Sequence, residues 1–437
     1  MLETLKNMFR IKDIRKKLFY TFLMIVVIRF GSQLPVPGVD RDYFSSWFSA
    51  YSNDAFNFFS AFTGGSFENM SIFALSITPY ITSSIIIQLL TIAIPALEEM
   101  HRDGEDGRKK ITAITRYTTV GLALIESIAM TIGFGRSGLL EEYNALNCIV
   151  VIVALVAGST LLMWIGERIT ENGVGNGISI VLMVNILSSV PADFVSLFEL
   201  FIAGKTIARG ALAAVIILAV VLLTVVLVIF LNDGERRIPV QYAKKMQGRK
   251  MVGGQSTHIP LKVNTAGVIP VIFASSLMSI PSMIVSFAGI TTTGAASTII
   301  GMLSQSNWFN PSHPEYSVGL ILYIVLIVFF AYFYTSITFN PIEVADNMKK
   351  QGGFIPGIRP GKPTVEYLDK VLGNLIFIGA AGLIIVVLVP IFFNGVFSAS
   401  VSFGGTSIII IVGVILETIK QIESQMVVRN YRGFLSE

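Results

Sequence analysis

Long apolar runs separated by short polar stretches recur along this whole chain. They fall at 18–34, 73–94, 117–135, 148–166, 177–190, 211–231, 266–288, 318–339, 371–393 and 407–425. A bilayer-crossing helix needs about 17–25 apolar residues, and all but the fifth run reach that size. Backbone deprived of water must satisfy its own hydrogen bonds, so each run predicts a helix. The pattern predicts an all-α integral membrane protein with ten transmembrane helices. The fifth run is too short to cross a whole bilayer.

Composition agrees. Of 437 residues, 53% are hydrophobic and 14% charged, with a mean hydropathy of +0.71. Soluble domains carry roughly a quarter charged residues, so one membrane domain is expected. The lone cysteine, Cys148, excludes an internal disulfide and a cysteine-based metal site. His101, His258 and His313 fall in three separate loops and read as solvated residues.

Charge sets the topology. A basic stretch, Lys6, Arg10, Lys12, Arg15, Lys16 and Lys17, precedes the first run; Gln33-Leu34-Pro35-Val36-Pro37-Gly38 follows it in place of a small-x-small cleavage site. An uncleaved helix is expected. Within residues 2–17, Leu2, Leu5, Phe9 and Ile14 fall near one face, which predicts a short amphipathic helix on the membrane surface. With the N-terminus inside, the inner loops hold Arg102, Arg108, Lys109, Lys110, Arg168, Arg236, Arg237, Lys244, Lys245, Arg249, Lys250, Lys262, Lys349, Lys350, Arg359, Lys362 and Lys370. The outer loops hold only Arg41, Arg136, Lys205 and Arg209. Cytoplasmic loops carry the excess of Lys and Arg, so both termini are expected in the cytoplasm. The net charge of +4 thus reflects topology rather than nucleic-acid binding, although clustered inner-loop bases also suit RNA phosphate, as on a ribosome.

Ten runs divide into five and five, an N-terminal half over 1–200 and a C-terminal half over 201–437, joined by the outer stretch 191–210. An odd number per half gives the halves inverted topology, as in pseudo-symmetric membrane folds. Short echoes support this. Pro79-Tyr80-Ile81-Thr82-Ser83-Ser84 parallels Pro270-Val271-Ile272-Phe273-Ala274-Ser275-Ser276, and Gly175-Asn176-Gly177-Ile178-Ser179 parallels Gly404-Gly405-Thr406-Ser407-Ile408. These four spans carry Ser, Thr, Gly and Pro, which suits helices facing a protein interior. Ahead of the second span, Phe58-Phe59-Ser60-Ala61-Phe62-Thr63-Gly64-Gly65-Ser66-Phe67-Glu68-Asn69-Met70 is moderately apolar. It reads either as a surface loop with a half-buried turn or as a re-entrant segment shielded from lipid.

Several stretches resemble a known family end to end: Leu34-Pro35-Val36-Pro37-Gly38, Pro79 to Leu90, Gly175-Asn176-Gly177-Ile178-Ser179, Leu261-Lys262-Val263-Asn264 and Gly357-Ile358-Arg359-Pro360-Gly361. The chain resembles the SecY/Sec61-alpha family, the channel-forming subunits of the Sec protein translocase in the bacterial cytoplasmic membrane. The resemblance implies two five-helix halves around a central pore that passes unfolded secretory polypeptides and releases transmembrane segments laterally into lipid. It implies a plug near 58–72, here Phe62, Thr63, Gly64, Gly65, Ser66 and Phe67. It implies a pore ring of Ile81, Ile85, Ile178, Leu182, Ile272 and Ile410, with Leu182 a departure from the isoleucine pattern. It also implies a lateral gate between spans two and three and spans seven and eight, with Gln88 and Glu126 as candidates. The implied partners are SecE and SecG subunits, the SecA motor ATPase, the ribosome, and signal peptides on secretory or membrane proteins.

The residues carry part of this by themselves. Positions four apart, as in 81/85 and 178/182, stack on one helix face. An apolar constriction resists water and ions by dewetting and offers no fixed partner to a passing chain. Ordinary helix packing or lipid contact remains the alternative for each isoleucine. Gln88 and Glu126 are polar within spans and costly unless they face the interior or a partner. Arg29, within the first span, is expected to pair or to snorkel outward.

Two inner loops, 232–265 and 340–370, are long for a helical bundle. The first carries Arg236, Arg237, Lys244 and Lys245, and its alternating apolar and polar residues suit a short strand or hairpin. The second sets Arg359 among Gly357, Pro360 and Gly361, a turn that displays its side chain. Both read equally as topology-setting charge or as docking surface; the resemblance favours docking of SecA or the ribosome. Gly173-Val174-Gly175-Asn176-Gly177 lacks the context of a phosphate loop and reads as a helix-opening turn. No enzyme motif is present and no cofactor is expected. A secondary transporter of small solutes, also built from inverted repeats, is the alternative function.

Overall fold

Every long apolar run folds as an α-helix, the one open structure that keeps all its backbone groups bonded away from water. The structure, a computed structural model, describes residues 11–41, 43–46, 60, 63–136, 138, 140, 142–202, 207–242, 245–247, 250–252, 256–288, 294–309, 313–397 and 405–433. In chain order the helices are α1 Lys12–Gly31, α2 Thr78–Ala93, α3 Pro95–Arg102, α4 Glu105–Arg136, α5 Ala145–Asn172, α6 Gly177–Phe201, α7 Ile207–Asp233, α8 Ile269–Ala288, α9 Ala295–Leu303, α10 Val318–Thr338, α11 Pro341–Lys350, α12 Lys362–Phe397 and α13 Gly405–Gly433. The strands are β1 Glu235–Tyr242, β2 Lys245–Gln247, β3 Lys250–Val252, β4 Ser256–Lys262 and β5 Gly353–Phe354.

Six helical stretches are long and apolar enough to cross a membrane: Glu105–Gly135, Ala145–Asn172, Gly177–Glu199, Gly210–Asp233, Pro314–Lys350 and Lys362–Val389. A seventh results if the pair Thr78–Thr91 and Pro95–His101, bent by 103°, counts as one span. The bend has a local cause. Ile94 is extended (φ −113°, ψ 111°), as the residue before Pro95 must tend to be. Helices α1, α8 and α13 occupy the remaining predicted runs but fall outside this count; α1, for example, carries Lys12, Asp13, Arg15, Lys16, Lys17 and Arg29.

The structure departs from the sequence pattern in several places. The fifth run is not short: α6 continues through Pro191 to Phe201, absorbing part of the stretch read as a join. Proline costs the helix one N–H donor, yet the apolar positions continue past it. Residues 2–10 of the proposed surface helix lie outside the described residues. Residues 12–17 are the opening turns of α1, and Ile14 is buried against Val174 and Ile422. Helices α4 and α12 begin well before their apolar runs, because their first turns are polar and hydropathy registers only the greasy part.

The chain forms two compact units. The first comprises Met1–Ser196, Pro281–Ile300 and Val414–Glu437. In it α4 packs against α2, α3 and α5, and α1 packs against α5. Its main core gathers Val36, Phe44, Phe67, Met70, Leu75, Met130, Phe134, Val151 and Leu155. Gly158 lets α5 approach the Ile72 backbone so closely that a Cβ there would collide with the Ile72 carbonyl. The α5–α6 turn is also tightly held. Val174 N–H donates to Thr21 Oγ1 (3.1 Å) and Gly177 N–H to Thr170 Oγ1 (2.8 Å), while Asn176 Oδ1 accepts from Ile178 and Ser179 as the N-cap of α6.

The second unit comprises Leu197–Ile280 and Gly301–Gly413. Its loops 232–265 and 340–370 build a three-stranded antiparallel sheet in the order β4-β1-β5, with Ile238 opposite Ile259, and β2 and β3 form a hairpin. Along β1, Ile238 and Val240 are buried while Arg236, Arg237, Pro239 and Gln241 are exposed, the alternation of a strand with one covered face. That face lies on Leu261, Ala345, Met348, Ile355 and Leu368. Pro239 is tolerated because β5 reaches only Gln241 and Tyr242, leaving the proline on an unpaired stretch of edge. A second core surrounds Trp308, whose ring lies 5.3 Å from that of Tyr323 at a tilt of 43° and whose indole N–H donates to the Met302 carbonyl at 2.7 Å.

Gly158→Val places a branched side chain against the Ile72 backbone. It is expected to lower the thermal unfolding midpoint of the detergent-purified protein, since overpacking a filled core costs about 1–3 kcal/mol. An unchanged midpoint would show that α5 and the 70–77 segment can separate freely.

Candidate functional site

The segment following α1 returns into the first unit. Residues 34–36 pair with 70–72 through the Pro35–Ser71 bridge, Val36 N–H donating to Met70 O (3.0 Å) and Ile72 N–H to Leu34 O (2.9 Å). The chain between them is closed into a loop, and beyond it the chain runs on to α2. Thr63, Ser66, Phe67, Met70, Ser71, Phe73, Ala74, Leu75, Ser76 and Ile77 are all buried. Of the two sequence readings, a surface loop is therefore set aside for the described part, and an interior segment is what the chain forms. Phe67 anchors it edge-on to Phe44 at 6.0 Å, and Phe44 meets Phe134 at 5.0 Å. Phe62 lies outside the described residues.

Glycine is required where the segment turns. Gly64 (φ +63°) and Gly65 (φ +78°) occupy the left-handed region, and a Cβ on Gly64 would sit 2.7 Å from the Asn185 carbonyl and from Ser188 Oγ. Two ordinary residues share that conformation, Met70 (φ 42°) and Ser76 (φ 51°), which L side chains adopt at a cost of about 1 kcal/mol or more each.

A polar group seats this turn. Half-buried Arg29 of α1 donates from Nη1 to Gly64 O (3.4 Å), and from Nη2 to Ser188 Oγ (3.1 Å) and Asn185 Oδ1 (3.4 Å). Ser188 Oγ donates to the Asn185 carbonyl (2.6 Å) and lies 3.2 Å from Gly64 O, and Asn185 Nδ2 donates to Ser76 Oγ (2.9 Å). Arg29 thus pairs inside the protein with neutral acceptors. Asn185 and Ser188 were missed from sequence, although an asparagine in an apolar run is itself a signal.

The expected ring positions fall in both units. Ile81 and Ile85 lie one turn apart on α2, half-buried; on α6, Ile178 is half-buried and Leu182 buried. In the second unit Ile272 on α8 and Ile410 on α13 are buried. Gln88 on α2 and Glu126 on α4 are half-buried on two helices that pack together.

Arg236 and Arg237 are exposed on β1, Arg237 pairing with Glu235 at 2.6 Å, a surface ion pair worth little by itself. Lys245 is on β2, and Lys244 lies outside the described residues. Arg359 is exposed between Gly357 (φ +85°) and Gly361 (φ +105°), in a turn tied by Thr364 Oγ1 donating to Arg359 O at 2.9 Å. Among the described residues no group of three His, Cys, Asp or Glu side chains gathers to hold a metal ion.

Six or seven membrane-length helices define a multi-pass helical membrane protein. The SecY family model matches residues 71–419. Protein translocase subunit SecY of Streptomyces galbus is 46% identical over 450 residues, covering 100% of both chains. Two solved structures share the fold: a SecY whose plug domain stabilises the closed state of its channel (TM-score 0.62, 18% identity, 94% and 92% coverage), and Sec61 in the canine ribosome-channel complex (TM-score 0.59, 18% identity, 94% and 93% coverage). The chain belongs to the SecY family.

Gly64→Val cannot keep the left-handed turn against Asn185. With Cys148→Ser and Ser66→Cys as background, it is expected to raise the rate at which a maleimide labels position 66. Equal labelling with and without Gly64→Val would mean the turn does not depend on this contact.

Proposed function

We propose that this chain forms the protein-conducting channel of a bacterial translocase, passing unfolded secretory polypeptides across the cytoplasmic membrane and releasing transmembrane segments laterally into lipid. The observation that carries the reading is the seated segment 63–77. It is irregular, strained and buried, tied by a handful of hydrogen bonds, and so suited to a stopper that leaves and returns. Family membership supports it and disfavours the small-solute carrier.

In this reading the chain crosses the membrane ten times in two inverted five-helix halves, 1–200 and 201–437, with both termini cytoplasmic, as the distribution of Lys and Arg supports. Ile81, Ile85, Ile178, Leu182, Ile272 and Ile410 line the narrowest passage. Their apolar side chains exclude water and ions, yet hold no passing sequence. Thr63 to Phe67 form the plug. Gln88 and Glu126 sit at the lateral opening, where polar groups tolerate a signal peptide's passage from protein to lipid. The chain has no motif for nucleotide hydrolysis, so the driving force comes from a partner or from the membrane potential. The basic sheet and the Arg359 turn are the docking surface for the SecA motor or the ribosome, and SecE and SecG complete the complex.

Crosslinking tests the conduit. In proteoliposomes with SecE and SecA, a Cys148→Ser chain carrying Ile81→Cys, Ile272→Cys or Ile410→Cys is expected to crosslink to a precursor stalled mid-passage, while lipid-facing Phe230→Cys is not. Translocation without those crosslinks would reject the ring assignment; failure of any precursor to enter would reject the channel. Arg359→Glu is expected to leave the protein inserted while abolishing most motor-driven translocation, read as precursor protected from protease. Normal translocation by that variant would remove Arg359 from the docking surface.

A further inference from the structure

We propose that Arg29 is the clasp of the resting channel, a positioning residue whose guanidinium, braced on Asn185 and Ser188 of α6, holds the Gly64 turn in its seat. The inference rests on reading segment 63–67 as the plug and goes beyond it by naming what keeps the plug closed.

Arg29 stands in an otherwise apolar stretch between Ile28, which is 1% exposed, and Phe30. A charge in such a stretch is costly and is kept only where it has work to do. Its hydrogen bonds all run to neutral oxygens, and its Nε is buried without a partner. If its task were only to join α1 to α6, Asn185 and Ser188 would suffice. Instead Nη1 reaches the Gly64 carbonyl at 3.4 Å, and Ser188 Oγ, whose proton goes to the Asn185 carbonyl at 2.6 Å, lies 3.2 Å from the same oxygen. That oxygen is presented only when Gly64 holds its left-handed bend, so the cation recognises one conformation of the turn.

Asn185 extends the grip. Its Oδ1 accepts from Arg29 while its Nδ2 donates to Ser76. One α6 side chain therefore links the beginning of the buried segment to its end. The distances favour a reversible tie. At 3.1–3.4 Å the arginine contacts are longer than the 2.7–2.9 Å or so of strong charge-assisted bonds, so the group holds the turn without locking it.

Resting ion leak and precursor translocation are to be measured in proteoliposomes holding the complete complex. The set is wild type, Arg29→Leu, Arg29→Lys, Ser188→Ala and a chain lacking residues 63–69. Arg29→Leu is expected to raise the leak at least about tenfold, the scale of losing a hydrogen bond to a charged group, while translocation persists. Arg29→Lys, with one ammonium in place of a fork, and Ser188→Ala are expected to leak to a lesser degree. A purely structural role would lower inserted protein and translocation together and would not raise leak per inserted channel. If the deletion leaks and Arg29→Leu does not, the clasp is overturned and the plug stands. If the deletion itself does not leak, the plug reading falls and the clasp with it. Should Arg29→Leu fail to insert, the comparison of Ser188→Ala with the deletion decides in the same way.

Discussion

Between Thr63 and Ile77 the chain is neither regular helix nor sheet, yet most of its side chains are buried, so its peptide groups have no water to turn to. Each must find a partner within the protein, and the first unit is arranged around that demand. Residues 34–36 supply a short antiparallel partner; Asn69 doubles back on the Gly65 carbonyl through both its N–H and its side chain; Ser66 O accepts from Ser71 N–H. The oxygen of Gly64 is met by Arg29. Gly158 has no side chain because the Ile72 carbonyl occupies its space. These features are consequences of one irregular segment held where lipid or helix would ordinarily be.

The second unit solves the opposite problem. Its sheet has one exposed, charged face and one covered face. Alternation along β1 puts Ile238 and Val240 on the covered face and the arginines outside, and α11 and α12 supply the apolar backing. Rigid display of charge from a backed sheet costs less on binding than the same arginines on a free loop, since fewer rotamers and backbone states have to be ordered at the interface.

Much of the helical architecture was legible because hydropathy is additive along a chain: each of the ten apolar runs lies on a helix, though six or seven of these helices are long and apolar enough to cross a membrane. Their polar ends were not, and neither was the continuation of α6 past Pro191, where a local breaking rule yielded to a long apolar stretch. The buried turn was half legible. Gly64 and Gly65 announced a bend, but a loop and an interior segment share that signal. Arg29's role was invisible, since its partners Asn185 and Ser188 lie far along the chain and only folding brings them together. The isoleucines gave least, for Ile81 in a pore and Ile81 against lipid obey the same periodicity; family resemblance alone singles them out.

The α5–α6 turn carries one more implication, about birth rather than operation. Val174 is covered on one side by Ile14 and on the other by Ile422, and Lys17 meets Gln425 at 3.1 Å. The first compact unit thus includes residues of α13. The Lys17–Gln425 contact joins positions 408 apart, so in a nascent chain this apolar seam stays open until α13 arrives.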